Sequence, residues 1–88
     1  MAKNKGNIYF WLRLIREFSV PEVAEKLRVS EAYIRAIEKG DKKPSVRLRR
    51  DFSELYKVDE NIIERFEKEK ELTTVDKFLL ELLKFIAT

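Results

Sequence analysis

Six basic side chains fall within twelve positions: Lys39, Lys42, Lys43, Arg47, Arg49 and Arg50. Lys and Arg at this density can neutralise a polyanion such as a phosphate backbone, or simply form a solvated charged face. Ser45 sits among them just before an apolar-periodic run, so a helix N-terminus there can add backbone N–H donors for a phosphate oxygen. Other chemistries are poorly provided for. The chain has no His and no Cys, which removes the commonest general base, thiolate chemistry and disulfides. Its acidic residues carry no pocket signature and read as solvating charges, so no enzyme, no cofactor and no metal is expected. Tyr9, Phe10 and Trp11 can be read as a stacking platform for bases, but an aromatic stripe at helical spacing reads first as core.

The composition narrows what can position these groups. Eighty-eight residues allow one modest core, and 40% of them are charged. Two Gly and two Pro supply few tight turns, which favours helices joined by short loops. Residues 1–50 hold thirteen Lys and Arg against six Asp and Glu, whereas residues 51–88 hold six against ten. The first part is thus suited to a polyanion and the second to a different task. Met1–Gly6 is polar, and Arg13 and Arg16 interrupt the apolar stretch behind it. Neither a signal peptide nor a membrane span is indicated, and a cytoplasmic protein is expected.

Helical periodicity organises the whole chain. Ile8, Trp11, Leu12, Ile15 and Phe18, with Leu14, predict a first helix from Asn7 to Phe18. Ser19-Val20-Pro21-Glu22 is a capping box with Pro in the first turn, opening a short helix from Val20 to Leu27. Phe18 and Val23 are spaced as a hydrophobic staple across that start. Ser30 caps again, and Glu31–Lys39 forms the third helix, with Gly40 ready for a left-handed close. Ser45 caps a fourth helix from Val46 to Tyr56, and a fifth begins near Glu60 with Ile62, Ile63 and Phe66 as anchors. The charge-dense run from Glu64 to Glu71 hides where it ends. Thr73 or Thr74 opens a last helix with an apolar stripe of Val75, Phe78, Leu79, Leu82, Leu83 and Ile86.

Residues 20–39 carry the most information. Ala24 is small where two helices must approach closely, Val29 plugs the turn, and Val23, Leu27, Ile34 and Ile37 face inward. Glu31, Ala32, Tyr33, Arg35, Ala36 and Lys39 are left on or near the outward side of the third helix. From Leu12 to Ile63 the chain resembles the Cro/phage-repressor (XRE-like) helix-turn-helix family. The resemblance rests on Ser19, Glu22 and Ala24, then Val29, Ser30, Ile34, Ile37, Glu38 and Gly40, then Pro44-Ser45, with a looser match at Tyr56, Val58 and Asp59. It implies an all-α, five-helix lambda-repressor-like domain over residues 1–66, to which the apolar stripe adds an extra amphipathic C-terminal helix within 67–88. It also implies that residues 31–39 enter the major groove of double-stranded DNA. Glu31, Ala32, Tyr33, Arg35 and Ala36 become base-reading candidates. Arg13, Ser30, Lys39, Lys42, Lys43, Ser45 and Arg47 become phosphate candidates, while Arg49 and Arg50 are expected to point away or to pair with Asp51 and Glu54. The resemblance further implies an ion pair between Arg13 and Glu38.

Three residues depart from the family pattern. Arg28 holds a turn position usually given to Gly, at a cost of order 1 kcal/mol if its backbone is left-handed. Val20 replaces a residue that often touches the DNA backbone. Glu31 can accept from cytosine N4 but repels phosphate, and Ala32 can only touch a thymine methyl. The C-terminal stripe lies outside the five-helix unit and is expected to form a homodimer interface. That would set two recognition helices about 34 Å apart on a palindromic site, as in a transcription repressor. Two rival readings remain. One is a protein-interaction adaptor without specific DNA binding, since Tyr33–Asp41 also resembles the module of bacterial cell-shape adaptors. The other is a DNA-binding antitoxin whose tail holds a small protein partner.

Overall fold

Asn7 starts the first helix and also ties it to the third. In the computed structural model, which describes residues 6–68, the Asn7 side-chain oxygen accepts from the N–H groups of Tyr9 and Phe10 at 3.1 and 3.3 Å, capping α1 (Ile8–Ile15). Its amide nitrogen donates to the carbonyl of Ile37 at 2.7 Å. Gly6 lies just upstream against the Phe10 ring, where a β-carbon would overlap the ring atoms. The Gly6 carbonyl accepts from the Trp11 indole at 3.1 Å.

α1 closes three residues sooner than its apolar spacing predicts. Glu17 adopts a left-handed backbone, its N–H donates to Leu14, and the N–H of Phe18 donates back to Arg13. This is the double bond pattern of a Schellman turn. It frees Phe18 to lie beside the capping box, in which Ser19 and Glu22 exchange bonds at 3.2 and 2.8 Å. α2 (Val20–Leu27), α3 (Glu31–Lys39) and α4 (Val46–Tyr56) follow, with Ser30 and Ser45 capping the latter two. α5 (Glu60–Phe66) is capped by Asp59 and ends at Glu67, which places the boundary that the charged run conceals. The described residues form five helices and no strand. The predicted final helix with Val75, Phe78, Leu79, Leu82, Leu83 and Ile86 lies outside the described residues.

The core joins all five helices. Ile8, Leu12 and Ile15 of α1 meet Val23, Ala24, Ile34 and Ile37 on one side, and Phe52, Tyr56, Val58 and Ile63 on the other. Tyr9 is fully buried and belongs to this core, while Leu14, expected on the stripe, is 42% exposed. The inward arc of α1 is therefore centred on Ile8, Tyr9, Leu12 and Ile15. Trp11 and Phe18 lie at its edges. The rings of Tyr9 and Phe52 stand 4.8 Å apart, Phe52 and Tyr56 5.7 Å, and Phe18 and Tyr56 6.1 Å. The Tyr9–Phe52 pair packs α1 directly against α4, and Phe18 extends the aromatic cluster from the turn after α1.

Candidate nucleic-acid interface

The turn between α2 and α3 determines how α3 is presented. Arg28 sits at φ 60° and ψ 45°, left-handed. Its N–H donates to Glu25, and the N–H of Val29 donates to Ala24 at 3.0 Å. The turn is thus a Schellman closure built on Arg. Four residues later α3 is under way: the Ser30 hydroxyl accepts from the Tyr33 N–H at 3.0 Å. At the far end Gly40 takes the left-handed position at φ 87°. Val23 and Ala24 of α2 and Ile34 and Ile37 of α3 are buried against each other and α1.

α3 is held from behind by charge as well as packing. Arg13 Nε donates to Glu38 Oε2 at 2.7 Å and Nη2 to Oε1 at 3.0 Å, while Nη1 donates to the Phe18 carbonyl at 3.1 Å. Both side chains are nearly buried. The Glu38 carboxylate holds the Arg13 guanidinium above its ordinary basicity, against a smaller opposing effect of burial. The pair that the resemblance implies is therefore formed, and its Arg13 nitrogens point into the protein.

The other sequence candidates fall into separate groups. Glu31, Ala32, Arg35 and Lys39 are exposed on α3, whereas Tyr33 and Ala36 are half-buried. Tyr33 packs at the edge of the core and lines an open groove of about 770 Å3 with Leu27, Val29, Arg47 and Leu55. Arg35 Nη1 approaches Glu31 Oε1 at 3.4 Å, one helical turn back. Ser30, Lys42, Lys43, Ser45 and Arg47 are exposed along the α3–α4 connection and the start of α4. Among the described residues, Lys39, Lys42, Lys43 and Arg47 form no ion pair.

Arg49 and Arg50 depart from their expected partners. Rather than Asp51 and Glu54 on their own helix, they reach α5: Arg49 bonds Glu67 at 2.7 Å and approaches Glu64 at 3.7 Å, and Arg50 approaches Glu60 at 3.5 Å. The Tyr9 hydroxyl donates to the second oxygen of Glu67 at 2.7 Å. α1, α4 and α5 are so joined by one partly buried polar junction. Local spacing favours neighbours on one helix, but the packing angle of α5 offers Arg49 a less exposed carboxylate.

A family model described as a helix-turn-helix domain matches residues 11–66. The chain belongs to the helix-turn-helix domain family, of the XRE/Cro type. No curated protein and no solved structure matches it. Membership of this helix-turn-helix family points to DNA binding, in a family that is typically non-enzymatic. Among the described residues no group of His, Cys, Asp or Glu is arranged to hold a metal ion, and no helix is long and apolar enough to cross a membrane. Asn7, which ties the later part of α3 through the Ile37 carbonyl, stands outside the candidates that the sequence offers. An Asn before an apolar-periodic run signals a helix cap, but nothing local discloses its second bond thirty residues away.

Proposed function

We propose that this helix-turn-helix domain binds specific duplex DNA sequences as a dimeric transcription regulator, most simply a repressor that occupies a promoter. α3 would lie in the major groove, with Glu31, Ala32 and Arg35 nearest the base edges and Tyr33 and Ala36 at the margin of the contact. One observation carries the reading. The basic residues flanking exposed α3 (Lys39, Lys42, Lys43 and Arg47) are exposed and unpaired among the described residues, whereas Arg13, Arg49 and Arg50 are engaged by carboxylates. Free cations beside a surface helix suit a phosphate backbone on either side of a groove. Ser30 and Ser45, at the starts of α3 and α4, can add hydroxyl and backbone donors. The stripe from Val75 to Ile86 would join two copies, setting their recognition helices about one DNA turn apart.

Selection of random duplex DNA by the purified protein, followed by binding of the winner across a salt series, tests this reading. A palindrome should emerge, and log K should fall with log salt by about 0.9 for each phosphate neutralised. Arg35→Ala should relax specificity at one position, while Lys43→Ala should weaken all sequences alike and reduce the salt slope by about 1. Absence of enrichment would overturn the specific-regulator reading. The outward face of α3 would then be a protein-docking surface, as in an adaptor.

A further inference from the structure

The outward face of α3 has few polar groups with which to read a base. Ala32 has none, Ala36 and Tyr33 are half-buried, and Glu38 is buried against Arg13. Glu31, Arg35 and Lys39 remain, and two of these three are paired with each other at 3.4 Å. The pairing is informative because of what it leaves open. Glu31 meets only Nη1 of the guanidinium, so among the described residues the edge formed by Nε and Nη2 makes no hydrogen bond. Two parallel donors on a planar edge match the O6 and N7 acceptors of guanine, the commonest specific contact in a major groove.

Charge argues the same way. A carboxylate on a DNA-facing helix repels phosphate, and a neutralised Arg contributes nothing to counterion release, so the pair adds no sequence-independent affinity. Its value lies in geometry. Glu31 is in the first turn of α3, where the helix dipole favours a carboxylate. From there it limits the rotamers of a long side chain about 6 Å further along the axis. Restraining that side chain before binding removes part of the ordering cost on contact.

We propose, resting on the DNA reading above, that Arg35 is the guanine-reading residue of this domain and that Glu31 is its positioning residue. The target half-site then contains a guanine whose recognition depends on both side chains. Lys39, at the C-terminal end of the same face, serves the backbone.

Selection and competition binding with wild-type protein, Arg35→Ala, Arg35→Lys and Glu31→Gln test this, with a thermal melt of each variant to establish folding. The wild type should enrich a motif containing an obligatory guanine. Arg35→Ala should lower the preference for that guanine by about 5- to 150-fold, the range of one good bidentate contact. Arg35→Lys should fail to restore it, because an ammonium lacks the planar fork. Glu31→Gln should bind non-specific DNA more tightly, having lost a negative charge, yet discriminate guanine less well by about twofold or more, an exposed i,i+4 pair setting the lower bound. That opposite movement of affinity and discrimination is what a merely repulsive or structural Glu31 would not produce. Enrichment of a motif whose guanine preference survives in Arg35→Ala overturns the assignment while the DNA reading stands. Glu31→Gln that tightens on all sequences with its guanine preference intact overturns the positioning role. No enrichment by the wild type overturns the DNA reading and this assignment together.

Discussion

Arg13 and Glu38 join the first and third helices through two parallel bonds of 2.7 and 3.0 Å, with both side chains nearly buried. The geometry is that of a charge pair desolvated on both sides. Removing one partner leaves the other charge stranded, which typically costs about 3–5 kcal/mol for a buried pair. Arg13→Ala and Glu38→Ala should each lower stability by about 3 kcal/mol, a large share of what a small domain possesses. Urea titration followed by circular dichroism measures it. Replacing both residues together by apolar side chains of similar volume should recover most of the loss.

Three helices close on left-handed residues that are not Gly: Glu17, Arg28 and Lys57 at φ 63°, 60° and 56°. Only α3 uses Gly for that purpose among the described helices, at Gly40. A β-carbon in this region costs about 1–2 kcal/mol, partly offset by the entropy Gly adds to the unfolded chain. Arg28→Gly should therefore raise stability by about 1 kcal/mol, equivalent to a midpoint shift of about 4–8 °C for a domain of this size. Lys57→Gly should do likewise, and the two gains should add because the turns are separate.

Tyr9 and Tyr56 should make the fold sensitive to alkali. Burial pushes both phenols up, assisted at Tyr9 by its bond to Glu67 and at Tyr56 by the nearby Glu38, with Arg13 opposing. Below about pH 10, where free tyrosine is neutral, this has no effect on stability. Above it the unfolded chain releases protons that the folded protein retains, so stability falls by about 1.4 kcal/mol per pH unit for each tyrosine. Tyr56→Phe should reduce that slope by half. At neutral pH the same variant should be as stable as the wild type or more so, because the Tyr56 hydroxyl is buried without a hydrogen-bond partner among the described residues. Thermal melts from pH 8 to 11.5 distinguish the two effects.

Arg47 and Arg49, two positions apart, should have opposite phenotypes. Arg49 is drawn into the Glu67 and Tyr9 junction, where Glu67 raises its basicity through their hydrogen bond. Arg49→Ala should destabilise by about 1.5–3 kcal/mol, the cost of losing a bond between charged groups, and leave the salt slope of DNA binding unchanged. Arg47→Ala should melt as the wild type does but flatten the salt dependence. Paired melts and fluorescence anisotropy titrations would show this division, and matching phenotypes would refute it.

The helix boundaries were legible where a cap recorded them. Ser19, Ser30 and Ser45 fix the starts of α2, α3 and α4 at the expected residues, because a hydroxyl bonded to an N–H two or three residues on is a local event. The first helix reads too long, since its end depends on Glu17 entering a backbone region that composition does not advertise. Of the candidate site, the exposure of Glu31, Ala32, Arg35 and Lys39 on one helix was legible from their spacing. The polar partners were not: Arg49 selects Glu67, eighteen positions away, over Asp51 and Glu54. Arg16 donates to the Tyr56 carbonyl at 2.7 Å, a bond with no sequence signature. Long-range polar pairs are decided by the angles at which helices pack, and those angles follow from the core as a whole.

The bond from Asn7 to the Ile37 carbonyl acquires a different meaning beside the Arg13–Glu38 pair. At adjacent positions, 37 and 38, α3 is fastened to opposite ends of the first helix: once at its cap and once near its last turn. Tilting or sliding α3 would uncap α1 and uncover a charge together. With α3 in the groove as proposed, adaptation to an imperfect site would fall to the nucleic acid, through bending or local unstacking. Mismatched operators should be penalised according to their stiffness as well as their chemistry.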